Sequence, residues 1–153
     1  MTDRRDTRPP IMEGTNEKQE KAHVRSPKIL VVDDDEVTLM SFRRILERHG
    51  YDVETATTGQ KAIDQCKGGS YDLALLDIRL PDMDGTQLLK ELHAVSDTMI
   101  TIMVTGYASL DNALQSLLLE ANAYITKPVD PPELLKVVAE ALSERRSNSS
   151  NDR

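Results

Sequence analysis

The 153-residue chain has a formal net charge of −7, 39% hydrophobic and 29% charged residues, which suits one acidic domain with a single core and polar tails. That acidity argues against nucleic acid as a direct ligand. One cysteine, Cys66, excludes an internal disulfide framework, and no apolar run approaches membrane-spanning length, so a cytoplasmic setting without membrane contact is expected.

Residues 1–27 mix both signs of charge with Pro9, Pro10, Gly14 and Asn16, and are predicted to be a disordered tail. Arg4, Arg5 and Arg8 precede no apolar core region, so the tail does not read as a leader. The domain is predicted over 28–142. Residues 29–32 form a short apolar, β-branched run that ends in Asp33, Asp34 and Asp35, a strand delivering carboxylates to a sheet edge. A first helix follows to about His49 on Leu39, Phe42, Ile45 and Leu46, with Gly50 as its stop; His49 reads as a C-terminal helix cation. Residues 51–56 alternate as a strand. A second helix over 59–67 carries Ala62, Ile63 and Cys66, and Gly68 and Gly69 end it.

Four consecutive apolar residues, Leu73 to Leu76, predict a strand buried on both faces, and Asp77 stands where the run stops. At the C-terminal edge of an open α/β sheet such a carboxylate is either a cap of the next loop or a working group. Pro81, Asp82, Asp84 and Gly85 then make a rigid turn that can hold Asp77 open to solvent. A third helix over 86–95 uses Leu88, Leu89 and Leu92, with His93 read as a surface residue, and a fourth strand over 99–104 ends in Thr105 and Gly106. Ser109 and Asp111 open a fourth helix with the stripe Leu110, Ala113, Leu114, Leu117 and Ala121. At about 100° per residue, Leu119 lies about 180° from Leu110 and faces outward. A short strand over 123–126 leads into Lys127 and Pro128, and Pro131 and Pro132 open a fifth helix on Leu134, Leu135, Val138, Ala141 and Leu142. Residues 143–153 are expected to be a polar, fraying tail.

Strands and helices that alternate in this way predict an α/β fold, a doubly wound, five-stranded parallel sheet with helices on both faces. Because each polar residue of interest follows a strand, the topology gathers Asp33, Asp34, Asp77, Thr105 and Lys127 at one edge. Carboxylates sharing a pocket repel one another, and a hard cation relieves this; oxygen-only ligands suit Mg²⁺ and phosphoryl chemistry. Lys127 and Thr105 would steady the equatorial phosphoryl oxygens while Asp77 attacks.

With these motifs in order, the chain resembles the receiver domain of a two-component response regulator. The resemblance rests on Asp33-Asp34, on Asp77 with Leu80-Pro81-Asp82-Met83-Asp84-Gly85, on Thr105-Gly106 and on Lys127-Pro128. It implies the flavodoxin-like strand order 2-1-3-4-5. It also implies that Asp77 accepts a phosphoryl group from a phosphohistidine of a sensor histidine kinase or phosphotransfer protein. Mg²⁺ would then be held by Asp34, Asp77 and the Arg79 backbone carbonyl, with Asp33 acting through water. Lys127 pairs with the phosphoryl oxygens, Thr105 moves to bond one of them, and Tyr124 is the coupled rotamer switch. Such a domain assists its own phosphorylation and dephosphorylation without being an enzyme. Its output surface is the face of helix 4, strand 5 and helix 5, where Leu119 offers an apolar contact for a downstream protein or for a second copy in a homodimer. The expectation is a stand-alone receiver without an output domain, signalling through another protein or relaying phosphate onward.

Three departures from the family pattern stand out. Glu120-Ala121 replaces the common Gly-Ala, shifting any positive-φ turn to Asn122; Val129 replaces a common Phe; and Arg79 and Tyr107 occupy positions that tune loss of the phosphoryl group. A rival from another class is a haloacid dehalogenase-type phosphatase, since Asp33 to Val37 also reads Asp-x-Asp-x-Val, with Asp33 as nucleophile and Asp35 as general acid. That reading needs a further acidic pair after Lys127 and leaves Asp77 unexplained. A receiver-like module that is never phosphorylated is the other rival, and it leaves a complete set of site residues without a use.

Overall fold

A computed structural model describes residues 25–106 and 120–151. The predicted fourth helix up to residue 119, with Tyr107 and Leu119, lies outside the described residues, as does most of the N-terminal tail. The described elements are β1 (Lys28–Val32), α1 (Glu36–Glu47), β2 (Asp52–Ala56), α2 (Gly59–Gly68), β3 (Leu73–Asp77), α3 (Gly85–Val95), β4 (Ile100–Thr105), β5 (Ala123–Thr126) and α4 (Pro131–Asn151). All neighbouring strands are parallel and the sheet order is β2-β1-β3-β4-β5, the order expected.

Side chains alternate across each strand, and this divides the core into two layers. Leu30, Val32, Ala74, Leu76 and Met103 meet Ala62, Ile63 and Cys66 of α2 and Leu88, Leu89 and Leu92 of α3. Their neighbours Ile29, Val31, Leu73, Leu75, Ile102 and Val104 face Leu39, Phe42 and Leu46 of α1 and Leu134 and Val138 of α4. Each fully buried leucine contributes about 1.5–3 kcal/mol relative to exposure, so this two-sided burial is what holds the strand ends in a common plane. Val129 packs on the α4 side as a partly buried residue.

Local signals set the helix limits. Asp35 caps α1 by accepting from the Val37 N–H at 3.3 Å and the Thr38 hydroxyl at 2.7 Å. Gly50, at φ +90°, turns the chain out of α1, and the His49 Nδ1 lies 3.1 Å from the Ile45 carbonyl oxygen. His93 does not sit on the surface as expected: it is half-buried, its Nε2 3.3 Å from Oγ1 of Thr101, near the start of β4. The last helix continues past Leu142 to Asn151. Cys66 is buried under α2, and that burial pushes its thiol up to about 11, which leaves it an inert packing residue.

Candidate functional site

Strand register brings the polar residues level. Asp77, the last residue of β3, pairs with Val104, and Thr105, the last of β4, pairs with Thr126. Asp33 continues the β1 ladder by one bond, its N–H donating to the Ala56 carbonyl at 3.1 Å. Its Oδ1 accepts from the Asp35 N–H at 2.9 Å, which turns the other oxygen inward. Lys127 follows β5 and is tied back by its own N–H, which donates to the Thr105 carbonyl at 2.7 Å; its bond to Pro128 is cis.

The side chains then converge. One oxygen from each of Asp33, Asp34 and Asp77 lies within 4.8 Å of the others. The Lys127 Nζ stands 3.1 Å from Asp33 Oδ2 and 3.7 Å from Asp77 Oδ1. Asp33 and Asp77 are 3% and 9% exposed, whereas Asp34 is open to solvent. Burial, reinforced by the Asp33 charge, raises the Asp77 carboxyl above its usual range despite the nearby ammonium. Burial works against the Lys127 ammonium, but the hydrogen bond to Asp33 and the charges of both carboxylates outweigh it and hold the lysine above its ordinary value. Three carboxylates face one ammonium, and all the candidate ligands are oxygen. Such a set fits a hard divalent ion that retains several waters, and Mg²⁺ meets that description.

The loop after Asp77 is closed at its base by the Gly85 N–H, which donates to the Ile78 carbonyl at 2.6 Å, and by an antiparallel bridge between Arg79 and Asp84. Only glycine fits at position 85, since a Cβ there would lie 2.3 Å from the Asp77 carbonyl oxygen. Arg79 is exposed within this loop, two residues past the carboxylate.

Of the predicted residues, Asp33, Asp34, Asp77 and Lys127 form one cluster. Thr105 is buried one strand away, and Tyr124 is 64% exposed on the outer edge strand. Asp35, the general acid of the phosphatase reading, is engaged through both carboxylate oxygens as the cap of α1. Two contributors were not foreseen in these roles. Asn122 extends the β4–β5 pairing, its N–H donating to the Thr101 carbonyl at 2.8 Å while its Oδ1 accepts from the Thr101 N–H at 2.9 Å. Asp82 ties the loop tip to α2 through the N–H groups of Gly59 and Gln60. Neither contact leaves a periodic trace in the sequence; a polar residue amid turn residues is the only signal.

Residues 29–139 match the family model of the response regulator receiver domain. The chain is 35% identical over 122 residues to the transcriptional regulatory protein ZraR of Klebsiella oxytoca, covering 80% of this chain and 28% of ZraR. It is 38% identical over 120 residues to the regulatory protein VanRB of Enterococcus faecalis, covering 78% of this chain and 54% of VanRB. The chain therefore spans between 28% and 54% of the length of these curated relatives. A response regulator receiver domain protein (CheY-like) from Methanospirillum hungatei JF-1 superposes with a TM-score of 0.75 at 46% identity, covering 80% of this chain and 98% of that one.

Proposed function

The chain belongs to the response regulator receiver domain family of two-component systems, and from that premise we propose that Asp77 is its phosphoryl acceptor. The observation that carries this is the placement of Asp77 at the end of β3, beside two further carboxylates and 3.7 Å from the Lys127 ammonium. An Asp77 oxygen attacks phosphorus, the N–P bond of a donor phosphohistidine breaks, and the imidazole leaves as a neutral ring, keeping the electron pair of that bond and the proton already on its other nitrogen, as an acyl phosphate forms. The donor is a sensor histidine kinase or a phosphotransfer protein, the partners with which the family works.

Asp34, Asp77 and the Arg79 carbonyl would hold Mg²⁺, with Asp33 acting through water; when bound, the ion neutralises charge on the transferring oxygens. Lys127 neutralises another of those oxygens, and the Thr105 hydroxyl moves to donate to one. Withdrawal of Thr105 makes room for Tyr124 to turn inward from its exposed position, so phosphorylation is read on the face of β5, α4 and the predicted fourth helix. On that face Leu119 serves as an apolar contact for a downstream protein or a second copy; the alternative output is onward relay of the phosphate. Arg79 and Tyr107 tune its loss to water, a reaction the domain assists without turning over a separate substrate.

The test is incubation of the full chain with Mg²⁺ and a small acyl phosphate or phosphoramidate. Wild type should gain one acid-stable, base-labile phosphate and Asp77→Asn none. Label that persists in Asp77→Asn, or that maps to Asp33, would overturn the assignment and favour the phosphatase reading.

A further inference from the structure

Position 82 lies at the tip of the loop that carries Arg79, and its carboxylate reaches beyond its own turn. Asp82 Oδ1 accepts from the Gly59 N–H and Oδ2 from the Gln60 N–H, each at 2.9 Å, across 23 and 22 residues of sequence. These are the first two N–H groups of α2. That helix already has a local cap, since Thr58 Oγ1 accepts from the Lys61 N–H at 3.1 Å. The Asp82 bonds are therefore tertiary ties that satisfy two first-turn N–H groups the local cap does not reach. The neighbouring Met83 confirms how close the two segments run: a Cβ at Gly59 would come within 2.5 Å of the Met83 Sδ. By contrast Asp84, the residue that opens α3, makes no side-chain capping bond, so α3 does not fix the tip from its side.

The loop thus has two fastenings. The base is closed by the Gly85-to-Ile78 bond and the Arg79–Asp84 bridge, and the tip is held by Asp82 and Met83 on α2. The backbone of Arg79 lies between Asp77 and the tip. We infer that Asp82 is a positioning residue of the metal site: it pins the loop tip to the first turn of α2 and so fixes the direction of the Arg79 carbonyl. This inference rests on the proposed reading of that carbonyl as a Mg²⁺ ligand. Its physical basis is that ligands are oriented by the groups that hold them, and losing such a group typically weakens metal affinity about 10–100-fold.

The experiment is calorimetric titration of Mg²⁺ into the full chain, for wild type, Asp82→Ala, Asp82→Asn and Asp34→Asn, with amide deuterium exchange of the metal-free proteins alongside. Asp82→Ala should weaken Mg²⁺ binding about tenfold and speed exchange at the amides of 79–84. Asp82→Asn, which keeps one acceptor oxygen, should fall between it and wild type, and it serves alone if the alanine variant does not fold. A variant with a lowered thermal midpoint but wild-type Mg²⁺ affinity would reduce Asp82 to a helix cap and overturn the inference. If wild type itself binds no Mg²⁺, the metal reading fails and this inference with it; if wild type binds, Asp34→Asn does not, and Asp82→Ala matches wild type, only the inference on Asp82 fails.

Discussion

Asp77→Asn removes one charge from the carboxylate cluster at nearly constant shape, and it should make the metal-free protein more stable. At an effective dielectric of about 20, two unit charges at 4.8 Å, the outer limit of the spacing among the carboxylate oxygens, interact by about 3.5 kcal/mol and two at 3.7 Å by about 4.5 kcal/mol. For Asp77, repulsion from buried Asp33 and attraction to Lys127 therefore come close to cancelling. What remains is chiefly the burial of Asp77, which opposes the ionised form, while the long bond from the Arg79 N–H at 3.5 Å favours it and the water-screened Asp34 charge opposes it, both weakly. Lys127 keeps its nearer partner, Asp33, at 3.1 Å in the variant. The net expectation is a gain of about 1–2 kcal/mol for Asp77→Asn near neutral pH. The sign has a pH signature. Because the folded carboxyl is raised above its ordinary 3.8, wild type carries no penalty below that value and loses stability as pH rises through the folded one, so the two proteins should converge in acid. Urea unfolding in EDTA measures the difference. Mg²⁺ at ten times its dissociation constant should then stabilise wild type by about 1.4 kcal/mol and the variant by much less. A variant less stable than wild type in EDTA, at an unchanged urea dependence, would refute the electrostatic account of the cluster.

Gly85→Ala places a Cβ 2.3 Å from the Asp77 carbonyl oxygen and 2.7 Å from the Ile78 Cα, both main-chain atoms that cannot swing aside. The strain and the weakened Gly85–Ile78 bond should remove about 2–4 kcal/mol in urea unfolding, and a loss under about 0.5 kcal/mol would show the loop base to be mobile. Tyr71→Phe deletes the hydroxyl that donates to Glu54 and should lower stability by about 0.5–1.5 kcal/mol. The Tyr71 bond, followed by Lys28, holds Glu54 below its ordinary 4.5, so this stability is present above that pH and fades as pH falls through the folded value. The variant should show a flatter acid limb, and equal slopes from pH 5 to 3 would count against it.

What could be read in the sequence, and what could not, divides by the range of the interaction. The buried runs at 29–32 and 73–76 are period-free apolar stretches, so they predict strands covered on both faces, and parallel alternation then places whatever follows them at one edge. That logic needs no coordinates and it brought Asp33, Asp34, Asp77 and Lys127 together. The Asp82 ties to Gly59 and Gln60 depend on how two loops lie across 22 and 23 residues, and neither propensity nor periodicity encodes that path. Gly85 was visible as a turn glycine, but its reason is a close approach to the Asp77 backbone. The length of α4 escaped for a different cause. Its apolar stripe ends at Leu142, while Glu144, Arg145 and Arg146 are good helix formers by intrinsic propensity, and the backbone helix continues through them.

The unequal distances around Lys127 bear on how the proposed switch would work. In the unphosphorylated protein the ammonium is nearer to Asp33, at 3.1 Å, than to Asp77, at 3.7 Å. Asp77 is thus the less committed of the two buried carboxylates and the freer to act as nucleophile. A phosphoryl group on Asp77 would bring acceptor oxygens that carry more charge than the carboxylate they replace, and these would compete with Asp33 for the same ammonium. The Lys127 main chain is tied to β4 by its N–H, which donates to the Thr105 carbonyl at 2.7 Å, while the flexible four-carbon stem lets the ammonium swing between the two carboxylates. Lys127 thus meets the carboxylates through its side chain and the end of β4 through its main chain, and Tyr124 lies three residues before it on the exposed edge strand. The path from the carboxylate pocket to the outer face is therefore short: it runs from Lys127 along β5 to Tyr124, three residues away.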